Sequence, residues 1–315
     1  MIEPRLITLL VPVLNEEEMI PLFITAAMDE LANLNYEILF VNDGSIDNTE
    51  QVILSHIESS PRIHLINLSR NFGKEAAMMA GLASARGDAV IPIDVDLQDP
   101  LSMIHQLVEQ WGQGFDVVLA KRADRRADTW LKRTLSRAFY TTFNRISDFK
   151  IPENVGDFRL MDKKVVYEVV QLGESNLFMK GLYAWVGFKT TTLEYERPMR
   201  MAGSTNFNTW KLWNFAIEGI TSFTAFPLKI WSYLGGSIAI TAMLYALFIF
   251  VRFIFTGIEV NGYLSVVLSV LIIGGLQLIG LGLIGEYIGR IYTESKKRPQ
   301  YIIRNEVNHE TRKDT

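Results

Sequence analysis

Two apolar runs near the C-terminus constrain this chain more than any other feature. Residues 231–255 carry one charge, Arg252, and residues 263–285 carry none. A helix needs about 20 apolar residues to cross the hydrocarbon core of a bilayer, and each run is long enough. Core helices of soluble proteins seldom extend this far without a polar face. The connection over 256–262 is short, and Glu259 is its only charged residue. The expectation is a transmembrane hairpin within 229–290, with spans over 231–255 and 263–285.

The flanking charges set its orientation. Arg200, Lys211 and Lys229 precede the first span, Lys296, Lys297 and Arg298 follow the second, and the loop has neither Lys nor Arg. By the positive-inside rule both ends lie in the cytoplasm. No signal peptide is read at the N-terminus. The apolar stretch 6–14 is short, is broken by Pro12, and runs into Asn15-Glu16-Glu17-Glu18, so it reads as a buried strand. Residues 209–228 mix Trp210, Leu212, Trp213 and Phe215 with Lys211 and Asn214. That pattern suits an amphipathic helix in the membrane interface, or one packed on the preceding domain. The division is then 1–208 catalytic domain, 209–228 interfacial helix, 229–290 hairpin and 291–315 basic cytoplasmic tail.

Composition removes several classes of chemistry. The 315 residues contain no cysteine, which excludes disulfides, zinc–thiolate sites and cysteine nucleophiles. The four histidines show no metal-ligand spacing. A net charge of −4 gives no basic footprint for nucleic acid.

Before the hairpin, short apolar runs alternate with helical stretches. Strands are expected at 6–13, 36–41, 63–68, 89–93 and 116–120, with helices at 17–33, 48–59, 74–85 and 101–111. This alternation predicts βαβ units and a mostly parallel, Rossmann-like α/β sheet. Ligands of such sheets bind beyond the carboxyl ends of the strands. Polar residues follow those ends: Asn15-Glu16, then Asn42-Asp43-Gly44-Ser45, then Asp94-Val95-Asp96. Gly280-Leu281-Gly282-Leu283-Ile284-Gly285 fits a dinucleotide-binding pattern, but it lies inside the second span, where close helix packing explains it better.

Asp94-Val95-Asp96-Leu97-Gln98-Asp99-Pro100 is the sharpest chemical signal. Two carboxylates two positions apart at a strand end suit Mg²⁺ or Mn²⁺. Asp99-Pro100 suits a helix start, with Asp99 as its cap. Asp43 fits a nucleobase contact or a plain turn and cap. Asp157, in Gly156-Asp157-Phe158-Arg159, is a candidate base or orienting carboxylate. Arg122, Arg159 and Arg200 are candidates for neutralising phosphate.

Together these residues resemble glycosyltransferase family 2 in its polyprenyl-phosphate branch. The motifs are Val11-Pro12-Val13-Leu14-Asn15-Glu16, Val41-Asn42-Asp43-Gly44-Ser45, Ser69-Arg70-Asn71-Phe72-Gly73-Lys74-Glu75, the Asp94–Pro100 run and Gly156-Asp157-Phe158-Arg159-Leu160-Met161. They continue through Trp210-Lys211-Leu212-Trp213 and Gly285-Glu286-Tyr287-Ile288-Gly289-Arg290. The resemblance implies a GT-A fold and a metal-dependent, inverting transfer of a hexose to undecaprenyl phosphate at the bacterial inner membrane. The implied donor is a nucleotide sugar, foremost UDP-glucose. Pro12, Leu14, Glu16, Asp43, Lys74, Arg122 and Arg200 would hold this donor. Asp94, Asp96 and Gln98 would hold Mg²⁺ or Mn²⁺, and Asp157 and Asp96 would be the catalytic carboxylates. Copies would associate through the transmembrane helices. One departure is Asn206, where the family carries Lys. The alternatives are transfer of another sugar, as in dolichol-phosphate-mannose synthases, or a non-catalytic membrane scaffold.

Overall fold

The computed structural model describes residues 5–123, 141, 143–145, 147, 149–152, 155–174, 177–195, 226–256 and 262–309. Arg200, Asn206 and the expected interfacial helix up to residue 225 lie outside the described residues. The chain divides into two compact units, Met1–Leu212 with Arg298–Thr315, and Trp213–Lys297.

The first unit is an α/β domain. Its elements run β1 (Ile7–Val13), α1 (Met19–Glu30), β2 (Tyr36–Asn42), α2 (Thr49–Ser59), β3 (Ile63–Leu68), α3 (Lys74–Ser84), β4 (Ala89–Pro92), α4 (Met103–Gly112) and β5 (Val117–Arg122). Then follow β6 (Val155–Asp162), α5 (Lys163–Gln171), α6 (Met179–Trp185) and β7 (Thr190–Tyr195). The expected strands and helices of the first 122 residues are all present, with ends shifted by a few positions. Strands β1 and β2 are apolar at almost every position and buried on both faces, as central strands of a covered sheet are. Helix α3 packs very close to the sheet. A Cβ on Gly81 would run into the Leu10 side chain, which would have to shift to admit it.

The sheet is mixed rather than mostly parallel. Its order is β7-β5-β6-β4-β1-β2-β3-β8. The pairs β1/β2, β1/β4, β2/β3 and β5/β7 are parallel. Strand β6 enters antiparallel between β4 and β5. The last strand, β8 (Ile303–Val307), pairs antiparallel with β3. Part of the segment read as a basic tail is therefore an edge strand of the first unit's sheet.

The second unit holds α7 (Phe226–Thr256) and α8 (Tyr263–Ser295). Each contains one of the two apolar runs. Ile272–Ser295 is long and apolar enough to cross a membrane, with a mean hydropathy of 1.5. Its large side chains are bare: Leu278 is 71% exposed and Ile279 62%. Trp231 of α7 lies on Gly280 of α8, where a Cβ would come within 2.0 Å of the indole Nε1. That contact gives one glycine of the G-x-G-x-x-G match a packing role.

Candidate active site

The site grows from the carboxyl ends of β1, β2 and β4 and from the amino end of the antiparallel β6. After β1, Asn15 takes a left-handed backbone, φ 55°. Its N–H donates to Ser45 Oγ at 2.9 Å, and its side-chain oxygen accepts from the Ile46 N–H at 2.9 Å. The Glu16 N–H donates to Thr49 Oγ1. These bonds tie the β1 and β2 exits into one ledge. Leu14 is exposed and Pro12 half-buried on the same segment.

Asp43 is 3% exposed. Its two carboxylate oxygens accept from the Phe72 N–H at 2.7 Å and the Gly73 N–H at 2.9 Å. Asp43 therefore clamps the loop that opens α3, and a base contact would have to use its remaining lone pairs. Gly44, at φ 73°, makes the close approach beneath that loop. A Cβ on Gly44 would sit 2.6 Å from the Arg70 carbonyl carbon and the Asn71 nitrogen.

The loop delivers Lys74 at the start of α3. Its ammonium lies 2.6 Å from Asp94 Oδ1 and 3.2 Å from Asp157 Oδ2. Burial disfavours the charged lysine, but the two carboxylates outweigh it and hold its pKa above the usual value. Burial also pushes Asp157 up. Lys74, Lys180 and Arg159 outweigh that effect and hold its carboxyl below the ordinary 3.8. Asp157 is thus an anion at neutral pH, which suits orientation and charge balance better than strong base catalysis.

Asp96 Oδ1 accepts from the Gln98 N–H at 3.1 Å. Between them Leu97 holds a left-handed backbone, φ 55°. Such strain in a non-glycine residue persists only where the surroundings enforce it, often at functional sites. Glu16 is raised above its usual pKa by burial first, then by Asp96, Asp47 and Asp94. The β1 and β4 exits therefore share one field of negative charge.

Asp99 does not cap α4. The N-cap position is Ser102, and Asp99 sits three residues earlier, 5% exposed. It accepts the Tyr195 hydroxyl from the end of β7 and lies 3.8 Å from the Arg122 guanidinium. Arg122 Nε also donates to Tyr195 Oη at 3.3 Å. Burial and the neighbouring Asp99 push the Tyr195 phenol up to about 12.

Lys74, Asp94, Asp99, Arg122, Asp157 and Lys180 line a common cavity of about 240 Å³. Of the expected site residues, the fold thus brings Asp94, Asp157, Lys74 and Arg122 together. Glu16 and Asp96 lie beside them, Gln98 is buried in the same loop, and Pro12, Leu14 and Asp43 border the β1–β2 ledge. Lys180 and the Asp99–Tyr195 pair are additions. Lys180 and Tyr195 sit in no local motif, and only the tertiary fold brings them to Asp157 and Asp99.

Among the described residues, no three His, Asp or Glu side chains form a metal-holding group. The donor set still fits a hard cation. Asp94 and Asp96 would supply carboxylate oxygens, with the other positions left for substrate phosphate and water, as Mg²⁺ prefers.

Residues 8–170 match the model of glycosyl transferase family 2. A prophage bactoprenol glucosyl transferase homolog of Escherichia coli (strain K12) is 53% identical over 300 residues, which cover 95% of this chain and 98% of that protein. The bactoprenol glucosyl transferase of Shigella phage SfV is 53% identical over 302 residues, with 95% and 98% covered. Among solved structures, glucosyl-3-phosphoglycerate synthase from Mycobacterium tuberculosis superposes with a TM-score of 0.43 at 19% identity, covering 69% of this chain and 78% of that one. The five motifs identified at the strand ends thus stand in a chain that matches named transferases over 95% of its length. The protein belongs to glycosyl transferase family 2 and is a glycosyltransferase.

Proposed function

We propose that the enzyme transfers glucose from UDP-glucose to undecaprenyl phosphate at the cytoplasmic face of the bacterial inner membrane, giving a β-linked lipid-phosphate sugar for cell-surface glycan modification. One observation carries the reading. The likeness to bactoprenol glucosyl transferases spans 95% of the chain, so it includes the apolar helices as well as the sheet. A soluble sugar-nucleotide donor needs only the α/β domain. A polyprenyl acceptor stays in lipid, and two spans through α7 and α8 would keep the cavity within its reach.

The acceptor phosphate monoester has a second pKa of about 6 and is mostly dianionic at neutral pH. Its oxygen attacks the anomeric carbon, a C–O bond forms, and the bond to the departing nucleoside diphosphate breaks with its electron pair. One displacement inverts the anomeric centre. A bound Mg²⁺ or Mn²⁺ at Asp94 and Asp96 would neutralise the leaving diphosphate. Lys74 holds Asp94 and Asp157 in register across the cavity. Arg122, fixed by Tyr195 and Asp99, presents a positive charge at the β5 exit. Fixed charges aimed at developing negative charge are usually the largest electrostatic contribution to such a step.

The test is incubation of purified protein with undecaprenyl phosphate and a panel of radiolabelled nucleotide sugars, with and without Mn²⁺. Labelled lipid from UDP-glucose, with a β linkage by NMR, is the expected product. Label carried only from another nucleotide sugar would replace the donor. No labelled lipid from any donor would reject the reading.

A further inference from the structure

Of the three cations that line the cavity, Lys180 is the one that closes no ion pair among the described residues and acts on Asp157 only through its field. Lys74 is held by Asp94 and Asp157, and Arg122 by Asp99 and Tyr195. Among the described residues, no carboxylate lies within the 4.0 Å ion-pair distance of the Lys180 ammonium. The side chain is half-buried, so part of its hydration is already lost. It also stands in the first turn of α6, where the helix dipole disfavours a cation. Desolvation and the dipole work against the charged side chain, the field of Asp157 works for it, and the residue opens onto the same cavity as Asp157.

We propose that Lys180 anchors a phosphate oxygen of a reactant in this cavity. This rests on the transferase reading above and deepens it. Two sources share the chemistry, the monophosphate of the lipid acceptor and the diphosphate of the donor. Lys180 acts as a point charge, so it grips either oxygen without demanding a planar, two-pronged partner. Lys180 shares its field with the single carboxylate charge of Asp157, and a phosphate dianion outcompetes a single carboxylate for it.

The experiment uses full-length protein in detergent and two direct binding measurements, with undecaprenyl phosphate and with UDP plus Mg²⁺. The variants are Lys180→Met, which keeps the stem and removes the charge, and Lys180→Arg, which keeps the charge. Lys163→Met, an exposed lysine of α5, controls for loss of charge. A charge-assisted hydrogen bond predicts about tenfold weaker binding of one ligand by Lys180→Met. Lys180→Arg and Lys163→Met should stay within about threefold of wild type. Weakening confined to the lipid phosphate assigns the acceptor, and weakening confined to UDP assigns the donor. Unchanged binding of both by a folded Lys180→Met overturns the proposal, as does an equal loss in Lys180→Met and Lys180→Arg. Wild type that binds these ligands but transfers no sugar would reject the transferase reading while leaving the Lys180 result standing.

Discussion

Arg304 places its Nη2 2.6 Å from Glu50 Oε2, closing a contact across 254 positions of sequence. The contact continues inward. Glu50 Oε1 accepts from Asn67 Nδ2, Asn67 Oδ1 accepts from Asn42 Nδ2, and Asn42 Oδ1 accepts from the Ser45 N–H. The strand that follows the apolar helices is thus joined by side-chain bonds to the loop that carries Asp43 and Gly44.

The cost of breaking this relay should rise toward its buried end. Arg304→Ala removes a partly exposed pair and should cost about 0.5–1 kcal/mol. Asn67 is fully buried, and Asn67→Leu orphans polar groups on both sides, so about 2–3 kcal/mol is expected. Urea midpoints of the purified variants measure both. Equal costs at the two ends would show that the bonds act independently of burial.

The Asp43 clamp makes a second prediction. Asp43→Ala leaves the Phe72 and Gly73 N–H groups without their acceptor and should cost about 1–3 kcal/mol. Gly44→Ala should cost more, above about 2 kcal/mol, because its Cβ meets backbone that cannot step aside and its φ is left-handed. Both should displace Lys74 and slow transfer at saturating donor. An Ala at position 44 that melts with wild type would mean the β3–α3 loop sits elsewhere.

Removing Lys74 should change how the site responds to acid. Asp157 is held below its ordinary 3.8, so its stabilising charge is complete above that value and is lost as pH falls through the lowered one. Lys74→Met removes the nearest cation, Asp157 rises, and the acid limb of the rate profile moves to higher pH. At neutral pH, kcat should fall about 100-fold, as expected for loss of one fixed charge. Lys74→Arg should keep the acid limb near its original place. An unmoved limb in Lys74→Met would separate Asp157 from the rate.

Metal dependence should follow the β4 exit. Asp94→Asn and Asp96→Asn should each lower transfer at least about 100-fold while leaving the melting temperature within a few degrees. Excess chelator should do the same to wild type, with Mg²⁺ or Mn²⁺ restoring it. Mn²⁺ binding followed by electron paramagnetic resonance gives a reading independent of turnover. Full activity in chelator would remove the cation from the reaction.

Tags at Met1 and Thr315 should both be reachable only from the cytoplasm, because basic residues flank both apolar helices and are absent from the connection between them. Protease protection in spheroplasts measures this. A C-terminal tag reached only from outside would leave a single crossing.

The sequence by itself determined the order of the first five strands and four helices and the apolar runs, and it nominated Glu16, Asp43, Lys74, Asp94, Arg122 and Asp157 for the candidate site. Those features are local. Apolar periodicity reports burial over a few residues, and a parallel sheet sends polar strand ends to one edge wherever its strands fall. The tertiary structure alone decided that β6 enters antiparallel beside β4, that β8 returns to pair with β3, and that Asp99 answers Tyr195 rather than capping α4. It alone turned Asp43 inward to hold the Lys74 loop and set Lys180 on the cavity wall. Each of these contacts joins residues dozens to hundreds of positions apart. No window of sequence contains both partners, and only the strand order brings them within reach.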